Sequence, residues 1–149
     1  ILTILEGGQT VSKPSYQSLI DERDFNFGSV WKVADSDVSI PQADKRKNVR
    51  KVHQERWVVV ISNNNQNYNP VCPIVTVAPL SSRTDLKKKF DLELYNSRDN
   101  VKLDSLLQLQ LSQPILKVDL FDLQGEISQD AKDELLFLIE DYFGLTYED

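Results

Sequence analysis

Apolar residues along this chain fall in short bursts between long polar runs, and the spacing within each burst sets the expected element. Trp57-Val58-Val59-Val60-Ile61 is the densest burst. Five consecutive β-branched or aromatic residues suit a strand buried on both faces. Pro73 to Leu80 reads as the next strand, and Pro79 near its end points to an edge or a bulge. Phe90 to Tyr95 alternates Phe90, Leu92 and Leu94 with Asp91 and Glu93, the period of a half-buried strand. Phe27 to Ala34 reads as an earlier strand entered at Gly28. Ser105 to Leu111 and Ile115 to Leu120 are further apolar segments around Gln113-Pro114, and Gly125 marks a turn. Ser128 then caps a C-terminal helix: Ala131, Leu135, Leu136, Leu138, Ile139 and Phe143 recur at helical spacing, and Gly144 ends it.

The polar runs divide the rest. Residues 1 to 26 are weakly patterned and read as an extension docked on a domain spanning residues 27 to 149; Ser15 to Arg23 suits a short helix with Ser15 as N-cap and Leu19 and Ile20 as its apolar contacts. Asp35 to Glu55 is a loop of about twenty residues, a length that is usually functional or disordered. Ser62 to Asn65 breaks the densest strand, Asn69-Pro70 continues the turn, and Ser81 to Lys89 is a second polar loop. Five or six short strands and one terminal helix predict a mainly β fold: a small antiparallel barrel with an α addition. The helix is too short to stand alone, so the barrel must cover its apolar face.

Composition narrows the class. At 149 residues the chain is one ordinary domain, and 40% hydrophobic with 27% charged residues is a globular balance. The apolar runs are too short to span a membrane. The single cysteine, Cys72, excludes an intrachain disulfide and a thiolate zinc cluster, and the single histidine, His53, excludes chemistry that needs two imidazoles in one chain. No secretory leader pattern is legible, so the cytoplasm is the expected location. The chain starts at Ile1 and has no methionine, so the natural start is expected upstream.

Charge is uneven. The net is -6, yet residues 119 to 149 hold ten acids and one lysine, leaving the body at a net of +3. Six cations fall between Lys45 and Arg56 and four between Arg83 and Lys89. Two readings stand: solvated loops, or a face that holds a polyanion.

Motifs for nucleotide binding, serine hydrolysis, zinc peptidases and dithiol chemistry are absent. Cys72 sits in a strand-like stretch and reads as a small buried apolar side chain. His53, in a polar loop, reads as a surface residue before a base. Arg56 precedes the densest strand and Ser81 follows the next one. If the two strands pair antiparallel, Arg56 and Ser81 meet at one rim, where both basic loops emerge. A guanidinium beside a hydroxyl suits a phosphate. The equal alternative is that Arg56 caps a strand edge and Ser81 is a turn residue.

Four segments in order resemble the PemK/MazF toxins. Gly28-Ser29-Val30-Trp31-Lys32-Val33 is similar to their first strand. Arg56-Trp57-Val58-Val59-Val60-Ile61-Ser62 resembles their second, where proline usually stands at the position of Trp57. Ile74-Val75-Thr76-Val77-Ala78-Pro79-Leu80-Ser81-Ser82 resembles their third. Asp104-Ser105-Leu106, followed by Gln110 or Gln113, resembles a later segment whose Arg-Thr is missing here. The resemblance covers about residues 27 to 144. It implies an SH3-like barrel of the PemK/CcdB kind with a C-terminal helix. It also implies a homodimer that cleaves single-stranded RNA without metal or cofactor and is neutralised by a cognate antitoxin. The family's essential arginine falls on Arg56, and its strand-end hydroxyl falls on Ser81. Lys45, Arg46, Lys47, Arg50, Lys51, His53 and Arg83 are then the expected RNA contacts. A catalytically degenerate relative that only binds RNA or protein is the alternative.

Overall fold

The computed structural model describes residues 3–6, 9–12, 16–46 and 53–145, and side chains from Ser18 onward within those ranges. The described residues run β1 (Thr3–Glu6), β2 (Gln9–Ser12), β3 (Ser29–Ala34), α1 (Pro41–Asp44), β4 (Glu55–Val60), α2 (Asn64–Asn67) and β5 (Ile74–Ser81). They continue through β6 (Asp91–Leu94), β7 (Ser105–Gln108), β8 (Gln113–Leu116), β9 (Phe121–Glu126) and α3 (Gln129–Tyr142). β1 and β2 form a hairpin of their own. The other seven strands make one antiparallel sheet in the order β6-β7-β5-β4-β3-β9, with β8 also paired to β5. No helix among the described residues is long and apolar enough to cross a membrane.

β5 is the corner of the sheet. Its first half, Ile74 to Val77, pairs with β8, and its end, Leu80 and Ser81, pairs with β7. Pro79 lies in the gap between those two partners, where no ladder bond needs its missing N–H, while its other side faces Val58 of β4. The expected irregularity at Pro79 is therefore a change of partner in a central strand.

β4 is buried on both faces, as its composition predicts. Val58 and Val60 join Phe25, Trp31, Val33, Val77 and Leu120 in one core cluster. Val59 joins Val30, Ala78, Leu94, Leu107 and Leu135 in the other, beneath α3. In α3, Ser128 Oγ accepts from the Ala131 N–H at 3.1 Å, and Ala131 and Leu135 are wholly buried. Gly144 follows at φ 69°, the left-handed stop that glycine favours. Leu136 and Phe143, counted by spacing on the apolar face, are exposed; Leu138, Ile139 and Tyr142 complete the covered stripe.

The structure corrects four local expectations. The main sheet has seven strands rather than five or six, because residues 121–126 form β9. Their polar sequence hid an edge strand, and Gly125 is part of it, at φ 115° and beside a register shift against β3. A side chain there would meet Asn100 at 2.9 Å. The Asn-rich break after β4 contains the short helix α2, capped by Asn63. Cys72 lies half-buried in the turn before β5, not within a strand. A 3-10 turn covers Tyr16–Leu19 with Ile20 exposed, while the expected cap Ser15 lies outside the described residues. Phe25, in the stretch read as an extension, is fully buried with its ring 4.7 Å from Trp31.

Candidate functional site

The β4–β5 ladder pairs Val60 with Val77, Val59 with Ala78 and Val58 with Pro79. Continued outward by two residues, the same register sets Arg56 opposite Ser81. The expected meeting of these residues at one rim is what the fold delivers. They line an open groove of about 1170 Å³ with His53, Arg83, Lys102 and Ser105.

Arg56 is held on its inner side. Its Nε donates to Asp35 Oδ1 at 2.7 Å and its Nη1 to the Leu80 carbonyl at 3.2 Å. Asp35 opens the turn that ends β3, beside the β3–β4 pair Val33 and Arg56, and is wholly buried. Its other oxygen, Oδ2, accepts from the His53 backbone N–H at 2.9 Å. A buried carboxylate needs such partners, and it fixes the guanidinium in return. Among the described residues, two of the five guanidinium N–H groups are used, which leaves the rest for a phosphate.

Ser81 is half-buried, and its Oγ accepts from the Arg83 N–H at 3.3 Å. The Arg83 guanidinium is exposed and already paired with Asp85, at 2.8 and 3.0 Å. That pairing holds the Asp85 carboxyl below its usual range. Lys45 and Arg46 are exposed after α1 and do not line the groove. Lys47, Arg50 and Lys51 lie outside the described residues. Among the described residues no group of three or more His, Cys, Asp and Glu side chains is placed to hold a metal ion.

Asp35, buried behind the groove, and Lys102, Trp57 and Phe121 on it escaped the sequence reading. Asp35 was one acid in a polar loop, and its position directly after a strand was the only signal. Lys102, Trp57 and Phe121 line the groove because β4, β9 and the turn before β7 converge there.

A family model for PemK-like, MazF-like toxins of type II toxin-antitoxin systems matches residues 34–141. No curated protein sequence matches the chain. Several solved structures share its fold. An endoribonuclease in complex with its cognate antitoxin, from a mycobacterial species, superposes with a TM-score of 0.56 at 14% identity, over 82% of this chain and 95% of that one. The Mycobacterium tuberculosis toxin MazF-mt6 does so with 0.55 at 18% identity, over 63% and 91%. The MazE-MazF complex from Deinococcus radiodurans gives 0.55 at 14% identity, over 80% and 94%.

Proposed function

The chain belongs to the PemK-like, MazF-like toxins of type II toxin-antitoxin systems, and on that premise we propose that it is an endoribonuclease that cleaves single-stranded RNA without metal. In this reading it acts in the cytoplasm as a homodimer, is neutralised by a cognate antitoxin, and carries residues 1 to 26 as an extension of the domain at 27 to 149. One observation supports the reading most: Arg56, fixed by the buried Asp35, stands beside Ser81 in an open groove of about 1170 Å³.

Cleavage proceeds by attack of a ribose 2′-oxygen on the adjacent phosphorus. The new O–P bond closes a 2′,3′-cyclic phosphate, and the bond to the 5′-oxygen breaks. The proton of the 2′-hydroxyl leaves to a base, and the departing 5′-oxygen gains one. The N–H groups of Arg56 that face the groove stabilise charge on the phosphorane oxygens. Ser81 Oγ orients one of those oxygens. His53 lines the same groove and is the candidate proton acceptor. The test is a digest of a long unstructured RNA with a chelator present. Discrete products ending in 2′,3′-cyclic phosphate are expected; RNA that is bound but left intact favours the degenerate binder.

A further inference from the structure

Three side chains stand in a row across the sheet, on the face opposite to the one Arg56 takes in β4, and the groove at the start of that strand is lined from both. Lys32 of β3 pairs with Trp57 of β4 on one side and with Phe121 of β9 on the other. Residues paired across neighbouring strands share a face, so the row reads aromatic, cation, aromatic. Trp57 and Phe121 both line the groove that holds Arg56. Phe121 is 38% exposed, and Trp57 is half-buried against the core beneath α3. They sit two strands apart, roughly 10 Å by strand spacing, so neither shields the other. The chain's other tryptophan, Trp31, is by contrast buried against Phe25.

The charge of the row suits bases better than phosphates. Lys32 Nζ lies 5.5 Å from the centre of the Trp57 ring, 3.5 Å from Glu55 Oε1 and 3.7 Å from Asp122 Oδ2. The two carboxylates offset the ammonium and disfavour a phosphate there. The cationic groups that the same groove offers a phosphate are Lys102 and Arg56, whose partner Asp35 is buried behind it. Aromatic faces beside a cationic track are the arrangement that holds single strands: each base stacks on a ring while the backbone follows the cations.

We propose that Trp57 and Phe121, with Lys32 between them, form the nucleobase platform of the groove. They hold bases of single-stranded RNA on the β4–β3–β9 face while the phosphates meet Arg56. The proposal rests on the RNA reading above and has its own test. The full chain is titrated with a 2′-O-methyl oligonucleotide of about a dozen residues, which lacks the attacking hydroxyl, and with its abasic counterpart. The base-bearing strand is expected to bind more tightly and to quench tryptophan fluorescence, and the quench should vanish in Trp57→Leu. Trp57→Leu and Phe121→Leu should each weaken binding roughly five- to a hundredfold without changing its salt dependence, whereas Trp57→Phe keeps most of the affinity. Phe121 lies on an edge strand, so its variant keeps the test decisive if Trp57→Leu fails to fold. Equal binding of the base-bearing and abasic strands, or full affinity in both leucine variants, overturns the platform and leaves the nuclease reading standing. Failure of the wild type to bind either strand overturns both.

Discussion

Arg56 Nε lies 2.7 Å from Asp35 Oδ1, and that carboxylate is closed to solvent while the arginine side chain keeps 14% of its surface. The pair is asymmetric in a useful way. Asp35 is anchored by the turn that ends β3 and by the His53 backbone, so it acts as the fixed member. Arg56 is the member that reaches the groove, already oriented before any ligand arrives. Preorganised charge of this kind is what stabilises a transition state at least cost in reorganisation.

Asp35→Asn preserves shape and removes the charge that orients the guanidinium. Cleavage should fall through kcat, with KM nearly unchanged, because the groove and its other cations persist. Asp35→Ala also strands Arg56 in a half-buried site, and breaking a buried pair costs about 3 kcal/mol or more. For a chain of this length that lowers Tm by about 6–12 °C. Calorimetry and steady-state kinetics on the two variants read these effects separately. An unchanged Tm in Asp35→Ala would mean that the pair contributes nothing to the fold.

The densest strand, the capped helix and the Arg56–Ser81 rim were legible because each rests on local chemistry: a β-branched run, a serine cap, and residues at strand ends. β9 was not legible. Its residues Phe121 to Leu123 are exposed at a sheet edge, so no alternation of burial marks them. Asp35 was hidden for another reason. Its role depends on a partner 21 residues away, and nothing in a polar loop announces which acid will be buried. Trp57 reads from sequence as one of five residues buried in a strand, whereas the fold leaves it half-buried on the groove.

Asp99 ties the turn after β6 to the start of α3. It accepts from the Tyr95 N–H at 2.9 Å, the Ser128 N–H at 2.9 Å and Arg98 Nε at 3.0 Å. Burial pushes this carboxyl up, but those donors outweigh it and hold it below its ordinary value. A carboxyl depressed in the folded state adds stability above the unfolded value, about 3.9, and loses it as pH falls through the folded one. The Tm gap between wild type and Asp99→Asn should therefore be widest above the unfolded value and close as pH falls through the folded one. A gap that stays constant with pH would show that the carboxylate's charge plays no part.

Assembly is open to direct measurement. The edge strands β6 and β9 and the exposed Leu136, Phe137 and Phe143 of the C-terminal helix region leave apolar surface to be covered. A symmetric dimer is the common way to cover it. Light scattering at micromolar concentration should give a mass of about 34 kDa, twice the 17.1 kDa of one chain. A monomer throughout that range rules the homodimer out.

Lys45 and Arg46 stand outside the groove, so any phosphates they contact lie away from the reacting one. Each phosphate contact contributes about 0.7 to the slope of log affinity against log salt for a single strand. Replacing both with alanine should lower that slope by about 1.4. Fluorescence anisotropy with a labelled single strand across a salt series measures it, and an unchanged slope identifies both as solvated cations.

Arg56→Lys separates charge from geometry. Lysine keeps a cation near Asp35, so the fold should survive with only a modest loss of Tm. The ammonium is a point charge and cannot donate to Asp35, the Leu80 carbonyl and a phosphate with the fixed angles of a guanidinium. Cleavage should therefore fall on the order of a hundredfold or more, while affinity for a non-cleavable strand changes little. Ser81→Ala removes one neutral hydrogen bond, about 1 kcal/mol, so its loss should be several-fold only. The order of the two effects carries the argument. If Ser81→Ala is the more damaging, the hydroxyl takes part in proton transfer and not merely in orientation. If Arg56→Lys cleaves at the wild-type rate, the guanidinium serves the fold through Asp35, and the reacting phosphate is held by other cations of the groove.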